Sequence, residues 1–212
     1  MICLPERPSA LASRPSASTA VMPFRSPLAL RLLTATLLVV IVAASSAVPV
    51  AALSSRWPHG ERYALSLLNC ARTGGWVKQN GSCVAGGSGK YSPYRKPLKV
   101  KAMLADDIAR LQARRVAKAG YLDHYLGGSI TTRFRRAGIT CCAYGESLGH
   151  WRSGVKAAVI AVQQMVQAEK GSNGWHWRNL KDPRFKFVGI GVWVKGRDVY
   201  VAFDFWDGRS HY

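Results

Sequence analysis

Among the side chains of this 212-residue chain that could bind metals or move protons, four attract attention: His124, Glu146, Glu169 and His176. Two imidazoles and two carboxylates make a sensible zinc or general-base set. A neutral ring nitrogen is a good zinc ligand, and a carboxylate can take a proton from bound water. Spacing alone does not gather them. His124 reads equally as a polar loop residue, Glu146 as a turn carboxylate in Tyr144-Gly145-Glu146-Ser147-Leu148, and His176 as a ring packed between Trp175 and Trp177. Glu169 is singled out by periodicity. Val155, Val159, Val162 and Val166 are spaced four, three and four, which predicts a helix over 155–169 with one apolar stripe. The next position on that stripe is Glu169. Negative charge at a helix C-terminus opposes the helix dipole, and burial raises the cost, so a partner is expected. The alternative is that Glu169 reaches past a frayed helix end into water. No Ser-His-Asp or Cys-His nucleophile set stands out, and Ser88 lies in a loop without the nucleophile-elbow pattern.

The elements that must position these groups are legible in outline. Glu61 to Arg72 reads as a short helix with Tyr63, Leu67 and Leu68 towards the core, stopped by Thr73-Gly74-Gly75. Residues 79–97 are rich in Gly, Pro, Ser and Tyr and read as a loop. Gly89-Lys90 within it lacks the glycine and hydroxyl residue of a phosphate loop. Residues 98–119 predict a helix with Leu104, Ile108 and Leu111 on one face, ended by Gly120. A turn over Leu122 to Gly128 carries His124, and Ile130 to Ala137 is a short basic helix. Phe187 to Val194 and Val199 to Phe205 alternate, with a Gly-containing turn between them, and predict an antiparallel hairpin. Helices first and a hairpin last imply an α+β fold or a layered α/β/α fold.

The N-terminal part does not read as fold. Residues 1–21 show no hydrophobic period. Arg25 and Arg31 then flank the apolar run Leu32 to Ala44, followed by Ser45-Ser46-Ala47 and Val50-Ala51-Ala52. These are the parts of a secretory signal peptide, with Met22 as a second candidate start. The alternative is an uncleaved anchor, since residues 32–53 carry no charge. The expected organisation is an extension plus signal peptide over 1–47, a linker over 48–61, a single domain over 62–206 and a tail over 207–212.

Removing residues 1–47 takes away four Arg and one Glu and leaves 26 basic and 10 acidic side chains, a formal +16 against +19 for the whole chain. Such charge favours anionic partners such as lipid headgroups, acidic wall polymers or nucleic acid; the plainer reading is a soluble cationic surface. Arg114-Arg115 and Arg133, Arg135 and Arg136 fit no nucleic-acid motif, so specific nucleic-acid recognition rests on charge alone. Of five cysteines, Cys3 lies in the leader. Cys70, Cys83, Cys141 and Cys142 allow three pairings. Cys70 with Cys83 closes a small loop, worth about 3 kcal/mol. Cys141 with Cys142 needs a strained vicinal ring, the alternative being two free thiols.

Several motifs in order resemble the CAP superfamily, the domain of cysteine-rich secretory proteins, antigen 5 and pathogenesis-related proteins. Leu67-Leu68-Asn69 is similar to the family's opening element, and the stretch from Leu98 to His124 to its second helix and first His. Arg133, Ala137-Gly138 and Gly145-Glu146-Ser147-Leu148 resemble its "R…AG…GENL" run. His176-Trp177-Arg178-Asn179-Leu180, Pro183 and Val188-Gly189-Ile190-Gly191-Val192 resemble its bacterial "HRxNIL…P…VGVGV" segment. The resemblance covers residues 62–206 and implies a three-layer α/β/α sandwich. It also implies a solvent-open cleft lined by His124, Glu146, Glu169 and His176, with His124 and His176 able to hold a divalent metal such as zinc while the carboxylates hold metal-bound water. Ser147 departs from the family's Asn, the stretch between Glu169 and His176 is longer than in the shortest bacterial members, and Cys70 and Cys83 do not match the disulfides of the eukaryotic branches.

The expected function is that of a secreted binding protein: a His/Glu-lined cleft accepts a lipid or cell-envelope ligand, and the cationic surface holds the protein at an anionic envelope. The alternative is a zinc-dependent hydrolase of peptidase type, with His124 and His176 on zinc and Glu146 or Glu169 as general base.

Overall fold

The computed structural model describes residues 55–86 and 94–209. The chain divides into two units, and the described residues all lie in the one that spans Ala51–Tyr212. The expected signal peptide and alternative anchor, Ser88, and the Gly89-Lys90 pair lie outside the described residues.

Six strands and six helices follow in order: α1 (Pro58–Arg72), β1 (Gly75–Val77), β2 (Cys83–Ala85), β3 (Lys99–Val100), α2 (Ala102–Leu104), a π-helical turn (Ala105–Ala109), α3 (Arg110–Ala119), α4 (Ile130–Arg136), β4 (Tyr144–Arg152), α5 (Val155–Ala168), α6 (Trp175–Lys181), β5 (Phe187–Lys195) and β6 (Asp198–Trp206). The main sheet has the order β3-β5-β6-β4. β5 and β6 form the expected antiparallel hairpin, β4 pairs antiparallel with β6, and β3 adds parallel to β5. Alternation then sorts the side chains. Val188, Ile190, Val192, Val199, Val201, Phe203 and Phe205 join the core under α1, α5 and α6. Leu148, Tyr200 and Ala202 meet Ala109, Ala113, Val116 and Ala117 of the opposite layer. The result is a three-layer α/β/α sandwich of the α+β class.

Four expectations are corrected. α1 begins three residues before Glu61, because Pro58 occupies the first turn, where its missing N–H costs nothing. The helix expected from residue 98 begins at Ala102, because Lys99 and Val100 extend along β5 instead. Leu111 is only half-buried while Gln112, Ala113, Val116 and Ala117 are buried. The π-helical turn inserts one residue, which rotates the buried face forward by one position beyond Ile108. The loop expected over 79–97 includes β2, which pairs with β1 and is tied to α1 by the Cys70–Cys83 disulfide (S–S 2.08 Å). Cys141 and Cys142 are also joined, across a cis peptide bond.

Close approach explains two glycines of β5. A Cβ on Gly189 would collide with the backbone at Leu104 and Ala105, and one on Gly191 with the Ala109 carbonyl and Arg110 nitrogen. The helical run over 102–119 therefore lies directly on the strand. At the C-terminus of α1, the buried Arg72 guanidinium donates to the carbonyls of Lys96, Leu180, Asp182 and Phe185, which ties the segment before β3 to α6 and the connection that follows it. β3 stops at Val100. Beyond it a pocket of about 180 Å³ lies against Ile190 of β5, walled by Glu61 of α1 and Arg110 of α3, which form an ion pair at 2.7 Å.

Candidate functional site

β4 is an edge strand, and the four expected residues fall into two pairs on either side of it. Glu146 points from β4 to the face that carries α3 and α4. Its Oε1 accepts a hydrogen bond from His124 Nδ1 at 2.7 Å and from Arg133 Nη2 at 3.0 Å, and its Oε2 accepts from Arg133 Nη1. The Glu146 side chain is fully buried, whereas the His124 ring is 43% exposed. Burial alone would raise the Glu146 carboxyl; the hydrogen bonds from His124 and Arg133 and the Arg133 charge outweigh it and hold the group below the usual carboxylate range. Arg133 also donates to the His124 carbonyl at 2.8 Å, so one buried guanidinium fixes both the carboxylate and the loop that carries the imidazole. Gln112 donates to the Asp123 carbonyl and secures the same loop from α3.

The second pair sits at the junction of α5 and α6. Glu169 caps the last turn of α5, and the expected partner is present: Oε1 accepts from His176 Nδ1 at 2.6 Å. Oε2 accepts from the backbone nitrogens of His176 at 2.8 Å and Trp177 at 3.3 Å. The carboxylate that opposes the dipole of α5 therefore lies at the N-terminus of α6, where negative charge is favoured. A Cβ on Gly174 would sit against the Glu169 carboxylate, which is why a glycine leads into α6. The His176 ring is 34% exposed. Trp175 beside it is exposed and carries the Arg178 guanidinium on its face at 4.4 Å, while Trp177 is buried in the core.

Asn179, one turn along α6 from His176, joins the two halves. Its Nδ2 donates to the Glu146 carbonyl at 2.9 Å and to Ser147 Oγ at 3.3 Å. Ser147, which departs from the family pattern, is thus an acceptor for Asn179. Gly145 leaves room for this contact, since a Cβ there would approach Asn179 Oδ1.

Both imidazoles have the same arrangement. An ionised carboxylate only accepts, so Nδ1 is the donor, and in the neutral ring the lone pair resides on Nε2. Neither Nε2 has a hydrogen-bond partner among the described residues. A carboxylate behind an imidazole fixes its tautomer and orientation, as behind metal-bound His. Each Nε2 is therefore of the type that ligates a divalent cation, with a carboxylate behind it as the orienting group. No group of three His, Cys, Asp or Glu side chains gathers to hold a metal among the described residues.

Sequence reasoning did not single out Asp204. It lies opposite Glu146 in the β4–β6 ladder, is fully buried, and neither carboxyl oxygen receives a hydrogen bond from a donor. Burial and the Glu146 charge push its pKa well up, against the pull of Arg133 and Arg115. In the protonated form Asp204 can donate to Glu146. The sole sequence signal was an acidic residue in an otherwise apolar strand, Ala202-Phe203-Asp204-Phe205. Arg133 was legible only as part of a basic cluster and of the family resemblance, not as a buried partner.

No protein-family model matches the sequence, and no curated protein matches it. Solved structures do. An extracellular protein containing a SCP domain from Bacillus anthracis matches with a TM-score of 0.40 and 20% identity over 51% of this chain. The chain is similar to SCP-domain proteins. That match covers 34% of the Bacillus chain, about a third of its length. NaASP2, solved with Zn2+, matches with a TM-score of 0.48 and 14% identity over 75% of this chain and 83% of its own. BmVAL-1 matches with a TM-score of 0.46 and 15% identity over 73% and 80%. These likenesses concern the arrangement of the elements. What the site binds is read from its own residues.

Proposed function

We propose that this chain is a secreted CAP-domain protein whose His/Glu-lined cleft binds a lipid or cell-envelope ligand at an anionic surface, with a divalent cation as an accessory to that cleft. One observation carries the reading: two imidazoles, each fixed by a carboxylate through Nδ1, offer a free Nε2 on either side of the edge strand β4. The exposed Trp175 next to His176 supplies apolar surface for an amphipathic ligand. A bound divalent cation would add Lewis acidity and an electrostatic anchor for an anionic headgroup. The chain's own residues do the rest. His124 and His176 hold the ligand's polar end, Glu146 and Glu169 hold the imidazoles, and Arg133 and Asn179 hold Glu146 in place.

The test is saturable uptake of a fluorescent fatty acid or sterol by the exported protein, alongside zinc titration by calorimetry, each repeated on a His124→Ala/His176→Ala variant. Uptake that the double variant loses supports the reading, and zinc binding lost with it places both rings on one ligand. Uptake unchanged in the double variant, or no uptake by either protein, overturns it.

A further inference from the structure

The loop that presents His124 has a surface the cleft does not use. Tyr121, Leu122 and Tyr125 are 57%, 43% and 73% exposed, three large apolar or aromatic side chains within five residues. The loop is nevertheless well fastened. Gly120 closes α3 in the left-handed conformation, Tyr125 N donates to Asp123 Oδ1, and Arg136 Nη1 donates to the Gly127 carbonyl. Exposure of the three side chains is therefore a property of a held loop. Cations surround it. The half-buried Arg115 side chain and the exposed Arg136 both lie against Gly127. Lys118, one turn after Arg115 on α3, is exposed. Among the described residues, Arg115, Lys118 and Arg136 form no ion pair with a carboxylate.

Apolar tips ringed by unpaired cations are the pattern of a segment that sits in a lipid interface, with Tyr at headgroup level and Lys or Arg against lipid phosphates. Leu122 at the tip favours a bilayer over a polysaccharide, which would use ring faces but gain little from an aliphatic side chain. We propose that the loop over 120–129 is a membrane-docking element that inserts Leu122 and Tyr125 into an anionic phospholipid surface while Arg115, Lys118 and Arg136 engage its phosphates. This rests on the reading of the protein as acting at an anionic envelope and names the surface that does so. Docking would hold the His124 side of the cleft at the lipid headgroups.

The test reads the loop itself, so that residues 32–53, where retained, do not confound it. A Leu122→Cys variant of the exported protein carries a nitrobenzoxadiazole label and is mixed with vesicles of phosphatidylcholine alone or with 30% phosphatidylglycerol; a Lys156→Cys label on α5 is the control. The expected result is a fluorescence rise at position 122 only, with phosphatidylglycerol vesicles only. Each cation contributes about fivefold in partitioning, so Lys118→Gln/Arg136→Gln lowers vesicle affinity on the order of twentyfold, and added salt has the same direction. Circular dichroism checks that this variant is folded. No rise at position 122, an equal rise at position 156, or binding confined to a soluble acidic polysaccharide overturns the proposal. His124→Ala/His176→Ala leaves the vesicle signal intact while abolishing cleft uptake, so the two readings fail separately.

Discussion

Replacing Arg133 by Met tests the electrostatic logic of the site. Arg133 and Glu146 are both buried and joined by two hydrogen bonds, and Arg133 also holds the His124 carbonyl. Removing the cation leaves a carboxylate in a water-excluded place with no charged partner but His124. Breaking a buried pair in this way costs about 3–5 kcal/mol, a large share of the roughly 5–15 kcal/mol that stabilises an ordinary domain. The pH dependence should also weaken. In the native protein Glu146 titrates below its ordinary range, so its contribution is present above the unfolded pKa and is lost as pH falls through the lower folded value. Without Arg133 its share of the opposition to burial is gone, the folded carboxyl pKa rises from its lowered value, and the stability lost on acidification shrinks. Urea denaturation at pH 4, 5.5, 7 and 8 measures both effects. Arg133→Met/Glu146→Gln removes the orphaned charge and should recover about 2 kcal/mol or more of the single-variant loss at pH 7. A single variant within about 1 kcal/mol of the native protein at pH 7, with an unchanged pH slope, would refute the reasoning: Glu146 would then be solvated without Arg133.

Two further outcomes follow from particular contacts. Asp204→Asn mimics the protonated acid, so stability at pH 7 should be unchanged or higher. Because the folded pKa of Asp204 is raised, its contribution is complete below the unfolded pKa and declines as pH rises towards the folded value; the Asn variant should lose that decline in a pH series of denaturation curves. Gly191→Ala forces a methyl group into the backbone of the helical run at Ala109 and Arg110, where no flexible side chain can yield, and should cost about 3 kcal/mol, lowering Tm by roughly 6–12 °C in a thermal melt. A melt within 2 °C of the native protein would show that the helix can lift off the strand, against a small expected shift per kcal/mol.

Much of this arrangement was legible where side chains follow a simple period. The β5–β6 hairpin alternates cleanly because one face is a large apolar core. The valine stripe of α5 led to Glu169, and the partner it required is His176. β4 was not legible. Its inward positions Gly145, Ser147 and Gly149 are small because Asn179 and Val162 approach closely, and its other face carries Glu146 and His150, so no apolar alternation remains to be seen. The shift from Leu111 to Gln112 was hidden for a different reason. A π-helical turn changes the phase of a helix without any residue type that announces it. The joining of His124 to Glu146 came from resemblance alone, since pairs formed across 22 positions leave no local trace.

The ion pair between Glu61 and Arg110 has a bearing on how the protein keeps its own company. β3 covers only the first two positions of β5, through Val188, and leaves the remaining rim of that strand without a neighbour in the sheet. A bare strand rim invites another chain to pair with it. Here Glu61 and Arg110, 49 residues apart in sequence, wall the space against Ile190 on that rim. Any invading strand would have to bury or displace both charges first. Charge thus serves as a fence at the stretch of β5 where backbone pairing runs out, supplied by two side chains that belong to neither strand.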